Sequence, residues 1–295
     1  MVDLSVIIVS HNTRELLAAC LQSLAEHLRG VAHEVCVVDN ASTDGSAAMV
    51  RERFPGVRLL ADERNRGFSV AVNAAIAVTA GRYVCWLNPD ARLLNGGMAA
   101  VLAYFDAHER VGVVGPQLVN ADGSVQLSSR AFPSYATAFF NRNSLLTRFF
   151  PRNRFTRHYL HTDRDPGVVQ ETDWVSGACL IHRRELGGPD ERFFMYMEDI
   201  DFCLRARAAG WGVAYHPALR VLHHIGGSSR SMPVRRAIVL HRSIWRYYAK
   251  HFRRNPLLDG VSAMLIWGRC LVMMAEAVLF GDRRPPDVVP YNPRP

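Results

Sequence analysis

Arg82-Tyr83-Val84-Cys85-Trp86-Leu87-Asn88-Pro89-Asp90 is the stretch on which the reading of this chain turns. Its first six residues are a short apolar run of strand formers, and Asn88-Pro89-Asp90 is turn chemistry, so Asp90 falls just past the carboxyl end of a buried strand. Ligands of open α/β sheets bind at that edge. A carboxylate placed there can hold a hard divalent cation whose remaining positions are filled by the phosphate oxygens of a nucleotide. Taken alone, the same triplet is also an ordinary turn.

Working outward, residues 4–10 read as a strand buried on both faces, and Thr13 is a helix N-cap ahead of Leu16, Leu17, Cys20, Leu21 and Leu24 at helical spacing. Residues 34–38 form a second strand that stops at Asp39-Asn40. A helix opens at Thr43-Asp44-Gly45-Ser46, a third strand covers 57–60, and residues 68–78 are helical. This alternation implies parallel strands with helices on both faces. After residues 111–115 the alternation ends. Residues 141–164 read as a loop or short-helix insertion, strand patterns return at 174–182, and a helix follows from about 200 to 209.

Length and composition suit a globular chain with a sizeable core: 295 residues, 49% hydrophobic and 21% charged. The six cysteines are scattered, with no CxxC pair, which favours a reducing compartment and argues against a zinc site. No secretion signal is legible at the N-terminus. The net charge of +8 points to an anionic partner, and it is concentrated late: residues 202–258 contain no Asp or Glu.

Several polar residues stand where chemistry is done. Asp39, at a strand end, can accept hydrogen bonds from a nucleotide base or ribose, or serve as turn chemistry. Asp44 reads as a helix cap. Asn65-Arg66-Gly67-Phe68 precedes a helix whose free N–H groups could receive phosphate, although Gly67 also fits an ordinary loop. Glu198, Asp199 and Asp201 place three carboxylates in four residues after an apolar aromatic run. They supply either a general base, with Arg205 holding a neighbour, or an acidic helix N-terminus. His223-His224 ends a strand ahead of a glycine- and serine-rich stretch at 226–229. The pair could complete a metal site beneath a mobile flap, or be polar surface.

Together these pieces, in order over roughly residues 4–230, resemble the family 2 inverting glycosyltransferases of the GT-A fold, and in particular their bacterial rhamnosyltransferase-like branch. The matching motifs are Val37-Val38-Asp39-Asn40, Asn65-Arg66-Gly67-Phe68, Asn88-Pro89-Asp90, Trp174-Val175-Ser176-Gly177-Ala178-Cys179, Met197-Glu198-Asp199-Ile200-Asp201 and His223-His224. The resemblance implies a Rossmann-like mixed α/β sheet flanked by helices, with a C-terminal helical extension. It implies a nucleotide-sugar half over residues 1–115, an acceptor-binding and catalytic half over 116–230, and a basic amphipathic extension over 231–295. Ser10, Asn12, Asp39, Asn65, Gly67, Asn88 and Asp90 would bind the nucleotide-sugar. Asp90 and His223 would hold Mg²⁺ or Mn²⁺, and Asp199 would be the catalytic base, with Glu198 as the fallback. Trp174, Gly177, Ala178, Asp201 and Arg205 would line the acceptor pocket. Asn88 stands where the family's DxD form has its first carboxylate, which leaves the metal site less anionic.

The implied partners are a nucleotide-diphosphate sugar, best dTDP-rhamnose, and a glycan or polyprenyl-diphosphate-linked acceptor, with UDP- and GDP-sugars as alternative donors. Arg242, Arg246 and Lys250 recur every four residues, a repulsive spacing that an anionic surface would relieve. Residues 261–280 are apolar apart from Ser262, Arg269 and Glu276, which favours a helix in a membrane interface or a homodimer over a spanning one. The expected location is the cytoplasm, at the inner face of the plasma membrane. Nucleic acid is not an expected partner, because the arginines and aromatics form no recognisable binding module. A noncatalytic membrane scaffold is the alternative of another class, and Asp90, Asp199 and His223 weigh against it.

Overall fold

The computed structural model describes residues 2–134, 154–224, 233–253 and 255–280. The apolar run at the start forms β1 (Leu4–Ser10), and the heptad-like leucines after Thr13 form α1 (Arg14–His27). Then come β2 (His33–Asn40), α2 (Ser46–Arg53), β3 (Arg58–Asp62), α3 (Phe68–Ala77) and β4 (Tyr83–Leu87). This is the alternation the periodicity predicts. Beyond Asp90 lie β5 (Ala91–Leu93), α4 (Met98–Ala107), β6 (Val111–Val119), β7 (Ser129–Arg130) and α5 (Arg154–Leu160). The strand pattern at 174–182 is broken at Ser176-Gly177-Ala178 into β9 (Trp174–Val175) and β10 (Cys179–Arg183), preceded by the short β8 (Gln170–Glu171). Then follow α6 (Glu198–Ala208), β11 (Gly212–His223), α7 (Pro233–His251) and α8 (Pro256–Phe280). The stretch 225–229, residues 135–153 of the insertion and the proline-rich tail beyond 280 lie outside the described residues.

Among the described residues the main sheet runs β3-β2-β1-β4-β10-β6-β11-β5, with β8 on β11. Strands β3, β2, β1 and β4 are parallel, whereas β10 runs antiparallel to both β4 and β6. The two halves read from the sequence, 1–115 and 116–230, therefore interleave in one sheet, with antiparallel β10 of the later half as the seam between β4 and β6 and β5 of the earlier half beyond β11. Alternation along β1 divides the core: Leu4, Val6 and Ile8 face α1 and α4, while Ile7 faces α3, α6 and Tyr247 of α7. Trp86, fully buried on the second face, packs against Phe68 and Phe202 at ring-centroid distances of 6.1 and 4.8 Å. That anchor fixes the end of β4, and with it the turn carrying Asp90.

The C-terminal extension is helical and tied to the domain. Lys250 and His251 of α7 reach the fully buried Asp201 of α6, at 2.6 and 2.7 Å from its Oδ1. Lys250 also pairs with Asp190 at 2.7 Å. The four-residue repeat of cations on α7 is thus split: Lys250 is neutralised inside the fold. Arg242 and Arg246 instead line a cavity of about 810 Å³ with Arg66, Arg192 and Arg235.

Candidate active site

A cavity of about 480 Å³ opens at the carboxyl edge of β4, between Asp90 on one side and Asp199 on the other. Asp90 is 2% exposed, and its backbone oxygen accepts from the His224 N–H at 3.0 Å, which joins the end of β4 to the end of β11. This closure brings His223 Nε2 to 3.6 Å from Asp90 Oδ1. Gln126 donates its amide to the His223 carbonyl (2.8 Å) and to Asn120 Oδ1 (2.8 Å), so its Oε1 is an acceptor for His223 Nδ1 at 3.1 Å. That bond places a proton on Nδ1 and directs Nε2 toward Asp90, where the neutral ring offers a lone pair. A carboxylate oxygen and an imidazole lone pair converging in this way fit a divalent cation. Among the described residues no third His, Cys, Asp or Glu joins them, so such an ion would complete its shell with diphosphate and water oxygens.

Across the pocket, the acidic stretch forms the first turn of α6, entered through two successive left-handed residues, Tyr196 (φ 71°) and Met197 (φ 70°). Strain of this kind persists where the surroundings over-determine it. Here the Phe194 carbonyl accepts the Phe68 N–H at 2.6 Å, and Gly67 lies so close to the Phe194 ring that no Cβ fits. Asp199 accepts the Gly177 N–H on Oδ2 and the Ile200 N–H on Oδ1, both at 2.9 Å. Burial raises its pKa, and these N–H groups together with Arg130 offset the rise only in part. Glu198 is pushed well above the usual carboxylate range by burial and then by the Asp199 charge, and its Oε2 is buried without a hydrogen bond among the described residues. Both carboxyls line the pocket, and burial raises both, with Asp199 the one held by the Gly177 and Ile200 N–H groups.

The edge at the carboxyl end of β2 is built in layers. Asp39 is buried at the end of β2; its Oδ2 accepts the Ser42 N–H at 3.1 Å, while Oδ1 has no hydrogen-bond partner among the described residues. Asn12, at φ 54°, spends its Oδ1 on the Thr43 N–H (2.7 Å), and Ser10 shares a hydrogen bond with Thr13. Both hold loops in place. Asn65 accepts the Gly67 N–H, and Arg66 pairs with Asp62 at 2.9 Å. Asn40, not singled out from the sequence, organises this loop by accepting the Arg66 N–H and donating to the Gly67 carbonyl.

The pocket gathers Asn88, Asp90, Trp174, Gly177, Ala178, Glu198, Asp199 and His223. Asp201 and Arg205, expected with the acceptor residues, lie elsewhere: Asp201 turns toward α7, and Arg205 pairs with it at 2.9 Å while reaching the Gly188 carbonyl. Helical geometry explains the divergence, since residue 201 sits two positions past residue 199, on another face of α6. Gln126, Arg130, Arg236 and Arg269 line the pocket without a motif to mark them.

The profile of Glycosyl transferase family 2 matches residues 5–165. The chain belongs to this family. This family 2 glycosyltransferase is 36% identical over 230 residues to the N-acetylglucosaminyl-diphospho-decaprenol L-rhamnosyltransferase of Mycobacterium tuberculosis, covering 73% of this chain and 74% of that one. Its fold is shared with a mannosyltransferase of Pyrobaculum calidifontis solved with GDP-Man and Mn²⁺ (TM-score 0.56, 19% identity, 95% of this chain and 76% of that one). GalNAc-T7, solved with UDP, GalNAc and Mn²⁺, is similar too (TM-score 0.59, 14% identity, 94% and 58%). The family 2 enzyme thus has the GT-A arrangement, with a C-terminal helical extension, expected from its motifs.

Proposed function

We propose that this glycosyltransferase moves L-rhamnose from dTDP-rhamnose onto a polyprenyl-diphosphate-linked glycan, by a single inverting displacement at the cytoplasmic face of the membrane. The observation that carries the reading is one pocket with Asp90 and His223 at one end and Asp199 at the other. The choice of sugar and acceptor follows the mycobacterial relative, whose name specifies both a decaprenol-linked substrate and L-rhamnose.

Asp39 Oδ1, buried and without a hydrogen-bond partner among the described residues, accepts the imide N–H of the base. Asp90 and His223 would hold Mg²⁺ or Mn²⁺, as both solved relatives contain Mn²⁺, and the ion would supply positive charge against the oxygen that departs with the diphosphate. Asp199 takes the proton of the acceptor hydroxyl as that oxygen bonds to C1. The C1–O bond to the diphosphate breaks on the opposite face, its electron pair leaves with the nucleotide, and the anomeric centre inverts. Gly177 and Ile200 hold the Asp199 carboxylate by their N–H groups, so the base is pre-positioned.

Thermal stabilisation by dTDP, UDP and GDP with Mn²⁺ or Mg²⁺ tests the reading. Selective stabilisation by dTDP with metal, abolished in Asp90→Ala, is the expected result. Preference for UDP or GDP moves the donor to a galactofuranosyl or hexosyl nucleotide, and no response to any nucleotide overturns the reading.

A further inference from the structure

The catalytic pocket extends beyond the family match. Its far wall is built by the C-terminal helices: Arg236, Leu240 and Ile244, four apart on one face of α7, and Arg269 of α8. This wall is fixed, because Lys250 and His251 fasten α7 to Asp201 and Tyr247 is buried in the core beneath the sheet. Two guanidinium groups beside a leucine and an isoleucine, opening toward a general base, match an amphiphile with an anionic head and a hydrocarbon tail.

The helix that carries Arg269 shows where such a ligand comes from. One side of α8 is held on α7: Tyr248 donates to Asp259 at 2.8 Å, and Cys270 and Met273 are buried. The other side is apolar and open over the helix length, with Met264 71% and Leu271 66% exposed in company with Leu257, Val261, Leu265 and Val272. The segment Pro256–Leu279 is long and apolar enough to cross a membrane. Its attachment along one side to α7 favours lying in the bilayer interface instead. There hydrocarbon meets the open face, and anionic headgroups meet the neighbouring α7, which carries no acidic residue. Arg269 stands at the border between that face and the pocket.

We propose that Arg236, Leu240, Ile244 and Arg269 form the subsite for the diphosphate and first isoprene units of a prenyl-diphosphate acceptor, which enters from a bilayer contacted by the open face of α8. The inference rests on the transferase reading above and names the acceptor end of the same site. Arginine cations hold the acceptor diphosphate, Leu240 and Ile244 cover the start of its chain, and the sugar to be extended reaches Asp199.

The test titrates the full chain with farnesyl diphosphate as probe. Native protein binds it more tightly than inorganic diphosphate, and Arg236→Gln and Arg269→Gln each weaken it about tenfold or more, as loss of a charge-assisted bond entails. Stabilisation by nucleotide and metal stays unchanged in both variants. Unaltered farnesyl diphosphate binding, or an equal loss of nucleotide binding, would overturn the subsite while leaving the donor assignment standing; absence of nucleotide stabilisation in the native chain would instead strike the underlying function. A second arm measures flotation with phosphatidylglycerol and phosphatidylcholine vesicles, which the surface pair Met264→Glu/Leu271→Glu abolishes if the open face meets lipid. Equal flotation of that variant, or a native chain that forms dimers through α8 and ignores vesicles, would overturn the bilayer approach.

Discussion

Glu198 and Asp199 are adjacent in sequence and opposite in duty. Asp199 receives the Gly177 and Ile200 N–H groups, while Glu198 is buried with its Oε2 lacking a hydrogen bond among the described residues and only its own backbone N–H to offset the burial. Asp199→Asn removes the proton acceptor but keeps the side-chain shape, so the turnover number should fall by about 10²–10⁴-fold, with nucleotide-induced stabilisation intact. Because burial raises the Asp199 pKa, its base form is populated only at higher pH than for an ordinary carboxylate. The acid limb of the kcat/KM profile therefore lies above that of a solvent-exposed aspartate, and a limb at the ordinary position would remove Asp199 as the base. Linkage gives Glu198 a signature in stability. Its folded pKa is raised, so the native state holds that proton more tightly, and stability is lost as pH climbs from the unfolded value near 4.5 toward the folded one. Glu198→Gln should thus be more stable than the native chain at neutral pH, with the gain vanishing in acid; chemical denaturation at two pH values decides it.

At the scale of elements, the site depends on loops locked to one another. Gly67 sits at φ +88°, and a Cβ there would meet the Phe194 ring 2.6 Å away, so Gly67→Ala should cost about 1–3 kcal/mol. The same change should weaken nucleotide binding if the loop at 65–67 holds the donor as proposed, because Phe68 and Phe194 connect that loop to the acidic turn. Asp201 clamps α6 to α7: Lys250, His251 and Arg205 outweigh the burial that would raise its pKa and lower it overall. Its contribution is present above the unfolded pKa and lost as pH falls through the folded one. Asp201→Asn, by leaving buried cations unbalanced, should destabilise by about 3 kcal/mol in urea unfolding. The strands and helices up to residue 87 were legible because their periodicity is local: an apolar run along 4–10, and helical spacing after Thr13. The antiparallel seam β10 was not, since an apolar run such as Cys179–Arg183 does not say which neighbour it pairs with. The roles of Asp201 and Arg205 were misplaced for a related reason. Carboxylates close in sequence on a helix look in different directions, and only the packing of α7 shows which one it claims.

Across the whole molecule, the sheet order brings together residues that the chain keeps apart. Antiparallel β10 seats Gly177 beside the end of β4, and β11 returns His223 to Asp90 over an interval of 133 residues of sequence number. The motif residues lie far apart in the chain, and topology sets their distances. The C-terminal wall of the pocket was illegible, because Arg236 and Arg269 belong to no motif and their use depends on how α7 and α8 dock. The measurement that tests the account most directly is transfer of labelled rhamnose from dTDP-rhamnose to a prenyl-diphosphate-linked N-acetylglucosamine by native protein and Asp199→Asn, with the anomeric configuration of the product determined. The account predicts an inverted product from the native enzyme and near-complete loss of transfer in a variant that still binds nucleotide. Retained configuration, or undiminished transfer by Asp199→Asn, would contradict it.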